Sequence, residues 1–300
     1  MINNKPSVAV IGLGSMGWGA AASLVRAGYE TRGVDIREEI LQKFSAAGGI
    51  ACKTPADAAR DADIVFVFVV NDAQTETALF GENGVLETAA PETVIVACAT
   101  TPPAFAEELG KRLADKGMLP IDAPVSGGAA KALTGEMTIM GSGSNEAFEK
   151  AKPALEAIAT KIYRLGEDPG IGSRVKMINQ LLAGVHIAAT AEALTLGIAQ
   201  GLDPKMLYDV ICASAGASWM FENRGPHIVE GNYTPYSAVD IFVKDLGIVS
   251  GAGAAANFPL PLTETALDQF KQASAAGLGR EDDAAVAKLY AQRGNVKLPE

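Results

Sequence analysis

Short runs of consecutive apolar residues punctuate the first half of the chain, separated by stretches with helical spacing. SVAVIG at 7–12, DIVFVFVV at 63–70 and the runs at 93–97 and 118–123 are too short for helices. DIVFVFVV in particular, a continuous apolar run rich in β-branched residues, has the pattern of a parallel strand buried on both faces. TRGV at 31–34 reads as a further strand, 18–27 as a helix stopped by Gly28, and GEMTIM at 135–140 as a β-ribbon. From 172 to 200 the chain reads as one long helix without proline, mostly apolar but carrying Lys176, Asn179 and Glu192. After Gly201 the strand patterns stop, and 204–213, 239–256 and 263–276 read as helices. The predicted fold is α/β: a doubly wound sheet over 1–165, a linker and long interdomain helix over 166–200, and an all-α domain over 201–300 that ends in the mobile tail GNVKLPE.

The first strand runs directly into Gly12-Leu13-Gly14-Ser15-Met16-Gly17, which has G-x-G-x-x-G spacing. A helix, a second strand and the terminal acid Asp35 follow. That succession, more than the glycines alone, marks a Rossmann-type dinucleotide-binding unit. Gly12 permits the tight turn, Gly14 lets the backbone approach a pyrophosphate, and Gly17 lets helix and strand pack closely. The pyrophosphate would rest on the helix N-terminus, where unpaired N–H groups and the dipole favour an anion. Asp35 is predicted to accept from the adenosine ribose hydroxyls and to repel a 2′-phosphate, so NAD is expected over NADP. Arg37 nearby could still tolerate that phosphate. Val69, Val70 and Gln74 end one strand and Thr100 follows another, at the edge where such sheets bind ligands.

Composition narrows the partners. There are 25 Lys and Arg against 35 Asp and Glu, a net charge of −10, with no long basic run. Nucleic acid is not expected, whereas a small anionic substrate remains compatible because a local cationic pocket outweighs global charge. Cys52, Cys98 and Cys212 are scattered and form no CxxC, as suits a reducing compartment. No signal peptide is read at the N-terminus, and no uninterrupted apolar run reaches the roughly 18 residues of a membrane span. A soluble, cytoplasmic chain with no membrane partner is therefore expected. No HxxxH, HExxH or CxxC spacing suggests a metal. His186 reads as a core or interface histidine and His227 as peripheral.

Three constellations remain. In DAPVSGG at 122–128, successive glycines expose backbone N–H groups that could hold a carboxylate beside the Ser126 hydroxyl; an ordinary glycine turn is the alternative. Lys176 and Asn179, three residues apart, share a helix face, and locally a solvated helix entrance explains them as well as a task does. Ser218, Trp219, Asn223 and Arg224 surround aromatics, either as a helix start with a buried tryptophan or as a site for a polyol acid.

GLGSMG at 12–17, DAPVSGG at 122–128, GSRVKMIN at 172–179 and KDLG at 244–247 stand in the order seen in the β-hydroxyacid dehydrogenases. The chain resembles that family, which includes 3-hydroxyisobutyrate dehydrogenase and the tartronate semialdehyde reductase that forms D-glycerate, over essentially its whole length. AGASWMFENR at 215–224 and GREDDAAV at 279–286 resemble the branch that acts on a four-carbon sugar acid. The resemblance implies NAD-dependent oxidation of a small hydroxy acid. It makes Lys176 the general acid/base, active as a neutral amine if burial beside a cationic nicotinamide lowers its pKa. It makes Asn179 a substrate-binding residue and gives the substrate carboxylate to Ser126, Gly127 and Gly128. Thr100 would contact the cofactor, Lys244 would lie near cofactor and substrate, and Asp282 would close over the nicotinamide end. Two places depart from the family. Gln180 stands where many members carry a second asparagine, and Val69-Val70 where relatives acting on branched substrates often have Leu-Pro, so the exact substrate stays open. The competing class is a catalytically silent NAD-binding sensor, which would need only the first half. Frequent alanine and glycine in the second half suggest a helical interface in a homodimer or homotetramer.

Overall fold

The structure, a computed structural model, describes residues 5–300 and divides into two units, one ending at Lys176 and the other spanning Met177–Glu300. In the first, strands and helices alternate as β1 (Val8–Ile11), α1 (Ser15–Arg26), β2 (Thr31–Val34), α2 (Glu38–Ala46), β3 (Ile50–Ala51), α3 (Pro55–Ala59), β4 (Ile64–Val67) and α4 (Asp72–Phe80). Then come β5 (Val94–Ala97), α5 (Pro103–Asp115), β6 (Leu119–Asp122), β7 (Val125–Ser126), α6 (Gly128–Thr134), β8 (Met137–Gly143), α7 (Asn145–Ile158) and β9 (Ala159–Arg164). The strand order is β3-β2-β1-β4-β5-β6-β8-β7, with β9 paired to β8. From β3 through β6 all pairs are parallel, and the order reverses direction between β1 and β4, the point where such sheets bind ligands.

Why the central strands β1 and β4 are apolar at every position is visible in the two cores. Val8, Val10, Ile64 and Phe66 pack with α1 and α7 on one face. Their neighbours Ala9, Ile11, Val65 and Val67 pack with α3 and α5 on the other. Side chains alternate across a strand, so a sheet covered on both faces leaves no place for polar residues. The predicted strands are present with small trims. The ribbon starts later and runs longer, as Met137–Gly143. Strands β3, β7 and β9 escaped prediction because they are edge segments: β3 and β7 have two residues each, those of β3 both exposed, and β9 (ATKIYR) exposes Thr160, Lys161, Tyr163 and Arg164.

Helix α8 (Ile171–Ala199) is a single 29-residue helix, and the boundary between the units falls within it. It is long and apolar enough to cross a membrane by length and composition, with a mean hydropathy of 1.6 over its most apolar window, 44% of it buried. Its buried residues Ile187, Ala188, Ala191 and Leu194 belong to the core of the second unit, the pattern of a core helix. That unit continues with α9 (Pro204–Cys212), α10 (Trp219–Val229), α11 (Val239–Ala255), α12 (Pro261–Ala273) and α13 (Val286–Gly294), and it contains no strand. The sequence reading anticipated α9, α11 and α12, offered a helix start at Ser218–Trp219 as one of two readings, where α10 begins, and did not anticipate α13.

Candidate active site

In the first unit the C-terminal edge of the sheet gathers the loops after β1, β4, β5 and β6, because these four strands are parallel neighbours. The loop after β1 is shaped by what cannot fit there. Gly12 has φ +91°, and a Cβ on it would lie 2.3 Å from the Phe68 carbonyl oxygen; one on Gly17 would lie 1.9 Å from the Gly12 carbonyl oxygen. Around Gly14, by contrast, a Cβ would meet nothing within 4 Å, so the main chain is open to a ligand. Gly14 caps α1 without a side chain, which leaves the first N–H groups of Ser15, Met16 and Gly17 without a side-chain acceptor. This cradle fits a pyrophosphate. Leu13 is buried, and its N–H donates to Asp35 Oδ2 at 2.9 Å.

Asp35 also accepts from Arg37, at 3.0 Å from the backbone N–H and 2.8 Å from Nε. Burial alone would raise its pKa, but these hydrogen bonds outweigh burial and hold the carboxyl below the usual range. It therefore stays an ionised acceptor, as ribose hydroxyls require. Arg37 is folded onto that carboxylate. Val69 is half-buried and Val70 exposed, and the Val70 N–H donates to Gln74 Oε1 at 2.9 Å, so Gln74 braces the loop after β4. Thr100 is half-buried in the loop after β5. After β6, Ser126 is half-buried in β7, and Gly127 and Gly128 have φ +129° and +71°, conformations that favour glycine.

Asp122, which the sequence reading quoted but did not assign, ties the end of β6 to the start of α8. Its Oδ1 accepts from Ser173 Oγ at 2.7 Å, and its Oδ2 accepts from the backbone N–H groups of Ser173 at 2.8 Å and Gly170 at 2.9 Å. Burial pushes its pKa up, partly offset by these bonds. A carboxylate at a helix N-terminus satisfies otherwise unpaired N–H groups. Lys176 stands three residues after Ser173 on the same face and is 7% exposed, so this anchored turn fixes where the lysine can reach. A helix-entrance lysine in open solvent is not what the structure shows.

In the second unit, Asn179 is half-buried and its Nδ2 donates to Gln180 Oε1 at 2.9 Å. Gln180 Nε2 donates to Asp245 Oδ2 at 2.5 Å, and Lys244 Nζ lies 2.7 Å from Asp245 Oδ1. A second cluster surrounds α10. Arg224 is buried and grips Asp283 through Nε at 2.5 Å and Nη2 at 3.1 Å, while its Nη1 donates to Asn223. Asp282 is fully buried, accepts from the N–H groups of Tyr236 and Ala284, and lies 2.9 Å from His227 Nδ1. Burial would raise the pKa of Asp282, but the hydrogen bonds from His227 and the backbone, with the charge of Arg224, hold it below the usual range. For Asp283 burial prevails and pushes it up to about 6. His227, expected at the periphery, is thus an interior residue, whereas Trp219 is 51% exposed and Asn223 is exposed. His186 is half-buried on α8. Among the described residues no cluster of His, Cys, Asp and Glu could hold a metal ion.

Comparison with known proteins covers both units. Residues 7–166 match the family described as the NAD binding domain of 6-phosphogluconate dehydrogenase, and residues 170–290 match that described as NAD-binding of NADP-dependent 3-hydroxyisobutyrate dehydrogenase. The L-threonate dehydrogenase of Cupriavidus necator is 57% identical over 284 residues, covering 95% of this chain and 96% of its own. That of Haemophilus influenzae is 50% identical over 300 residues, covering 100% and 99%. A crystal structure of 3-hydroxyisobutyrate dehydrogenase from Salmonella typhimurium matches with a TM-score of 0.91 at 48% identity, over 95% of this chain and 100% of that one. Similarity of this degree, running unbroken through both units, makes the chain a member of the NAD-binding β-hydroxyacid dehydrogenases related to 3-hydroxyisobutyrate dehydrogenase.

Proposed function

We propose that the chain oxidises L-threonate at C2 to the 2-oxo acid, with NAD as its cofactor. The observation that carries this reading is the nearly full-length similarity to L-threonate dehydrogenases, 57% identical in the first case. NAD, when bound, supplies the acceptor for the hydride. Lys176 takes the proton of the reacting hydroxyl during oxidation and returns it in the reverse direction. The Ser126 hydroxyl and the N–H groups of Gly127 and Gly128 hold the substrate carboxylate. Asn179 bonds a substrate hydroxyl and orients the reacting carbon, a contribution of positioning rather than of chemistry. Thr100, Val69, Val70, Gln74 and Lys244 serve the cofactor side, with Lys244 also near substrate. Exposed Trp219 and Asn223 meet the extra hydroxyls of the sugar acid, Arg224 shapes that region from the interior, and Asp282 belongs to the nicotinamide side.

The chain works as a homodimer or homotetramer: α9 buries none of its residues and exposes Met206 and Val210, and α8 exposes Leu182 and Leu196. Apolar faces of this kind suit a second copy. Three free cysteines suit the cytoplasm. A second reading, 3-hydroxyisobutyrate as substrate, is favoured by the 48%-identical Salmonella structure. The test is a panel of both threonate enantiomers, D-glycerate and 3-hydroxyisobutyrate, each with NAD and with NADP, followed by formation of the reduced cofactor. The highest kcat/KM is expected for L-threonate with NAD. A higher value on another acid overturns the substrate, and a preference for NADP overturns the role given to Asp35.

A further inference from the structure

The polar chain Asn179–Gln180–Asp245–Lys244 crosses from α8 to α11, and its direction is dictated from the carboxylate end. An ionised carboxylate only accepts hydrogen bonds. Gln180 must therefore turn its NH2 group to Asp245, 2.5 Å away, and its carbonyl to Asn179. Asn179 must in turn offer its own NH2 to Gln180 at 2.9 Å, which puts its carbonyl Oδ1 on the other branch of the amide. Flipping either amide would set two acceptors or two donors against each other. Gln180 and Asp245 are 7% and 2% exposed, so water cannot easily compensate a broken link. The helices come close enough for this reach at Gly184, one turn beyond Gln180, where a Cβ would lie 2.8 Å from the Leu246 side chain. The longer glutamine arm completes the span that an asparagine would leave one methylene short.

We infer that Gln180 is a positioning residue, which carries the orientation set by Asp245 to the Asn179 amide and presents the Asn179 carbonyl as acceptor for a substrate hydroxyl. The same carboxylate restrains Lys244, 2.7 Å away, so one acid orders groups on two helices. This rests on the proposed role of Asn179 in substrate binding. Asp245 of α11 faces position 180 directly, Lys244 lies 2.7 Å from the same carboxylate, and Lys176 stands one turn back on α8.

Three variants test it in the holoenzyme, on whichever hydroxy acid the panel shows to be best, so that a mistaken substrate does not count against the wiring. Gln180→Met keeps the volume but removes both hydrogen bonds; kcat/KM should fall about ten- to hundredfold, the loss of a buried bond to a charged group, with NADH affinity unchanged. Gln180→Glu should recover activity as pH is lowered. A protonated Glu donates to Asp245 and accepts from Asn179 in the original direction, whereas an ionised one faces a like charge. Gln180→Asn should fall between the parent and Gln180→Met. A readout independent of turnover is the Asn179 side-chain amide signal in nitrogen–proton correlation spectra, expected to shift in Gln180→Met. Unchanged kcat/KM in Gln180→Met, an equal loss of NADH affinity, or no recovery of Gln180→Glu at low pH overturns the inference. Should Gln180→Met fail to fold, the pH profile of Gln180→Glu decides.

Discussion

The two units hold polar groups in place by opposite means. In the first, the glycine loop proposed to cradle the cofactor is made of main chain: Gly12 and Gly17 leave room only for hydrogen, and a Cβ at Gly14 would meet nothing within 4 Å. In the second, the equivalent work falls to side chains packed in the interior, Gln180 on Asp245 and Arg224 on Asp283. A backbone cradle fails by steric collision, because a Cβ at Gly12 or Gly17 meets main chain that cannot move aside. A buried side-chain network tolerates changes of shape but not an unmatched charge, since a buried ion without its partner keeps its desolvation cost. The cradle is thus sensitive to size and the network to charge.

Lys176 carries the largest expected effect. Its proposed role is proton transfer, so its removal should impair chemistry rather than cofactor binding. Lys176→Ala should lower kcat by about 10²–10⁴, the usual worth of general acid–base assistance, with NADH affinity intact by fluorescence titration. A parallel loss of NADH affinity would assign the lysine to the cradle instead. Next is Arg224→Met, which leaves Asp283 buried without its partner and should cost about 3–5 kcal/mol of stability in denaturant unfolding. Unaltered stability with a raised KM would return Arg224 to the substrate and erase the contrast between the units.

The smallest effect is in pH dependence. The folded-state pKa of Asp283, about 6, lies above its ordinary 3.8, so the folded chain binds that proton more tightly than the unfolded chain. The resulting stabilisation is complete below 3.8 and lost as pH rises through about 6. Unfolding midpoints measured across this window should carry a component that declines with rising pH, and Asp283→Asn should flatten it. Asp282, held low, acts in the opposite sense at lower pH, its contribution being lost as pH falls through its depressed pKa. A window without the declining component would mean that Asp283 keeps an ordinary carboxyl.

How legible each region was follows from the distance between partners. The cradle could be read because strand, glycine loop, helix and acid are contiguous, and each glycine answers to a local steric demand. Asp122 was legible as part of a motif but not as an anchor, since Ser173 lies 51 residues away. Gln180 stood out only as a departure from the family, its partner Asp245 being 65 residues distant. Arg224 read naturally as a hydroxyl-binding side chain on a polar stretch. Helix α10 turns it inward to Asp283, 59 residues on, and leaves Trp219, which could have been buried, in the open. Strand β9 carried no apolar run because an edge strand needs none.

Alone, the sequence determined the alternation of strands and helices in the first half, the doubly wound sheet, the helical second half and the close packing demanded of Gly12 and Gly17. All of these follow from backbone preferences and from apolar periodicity within a few residues. Only the tertiary structure decided which polar groups meet: Asp122 with Ser173, Gln180 with Asp245, Arg224 with Asp283. The reason is physical. A buried charge or amide has no preferred partner until packing removes water from it and brings one within reach.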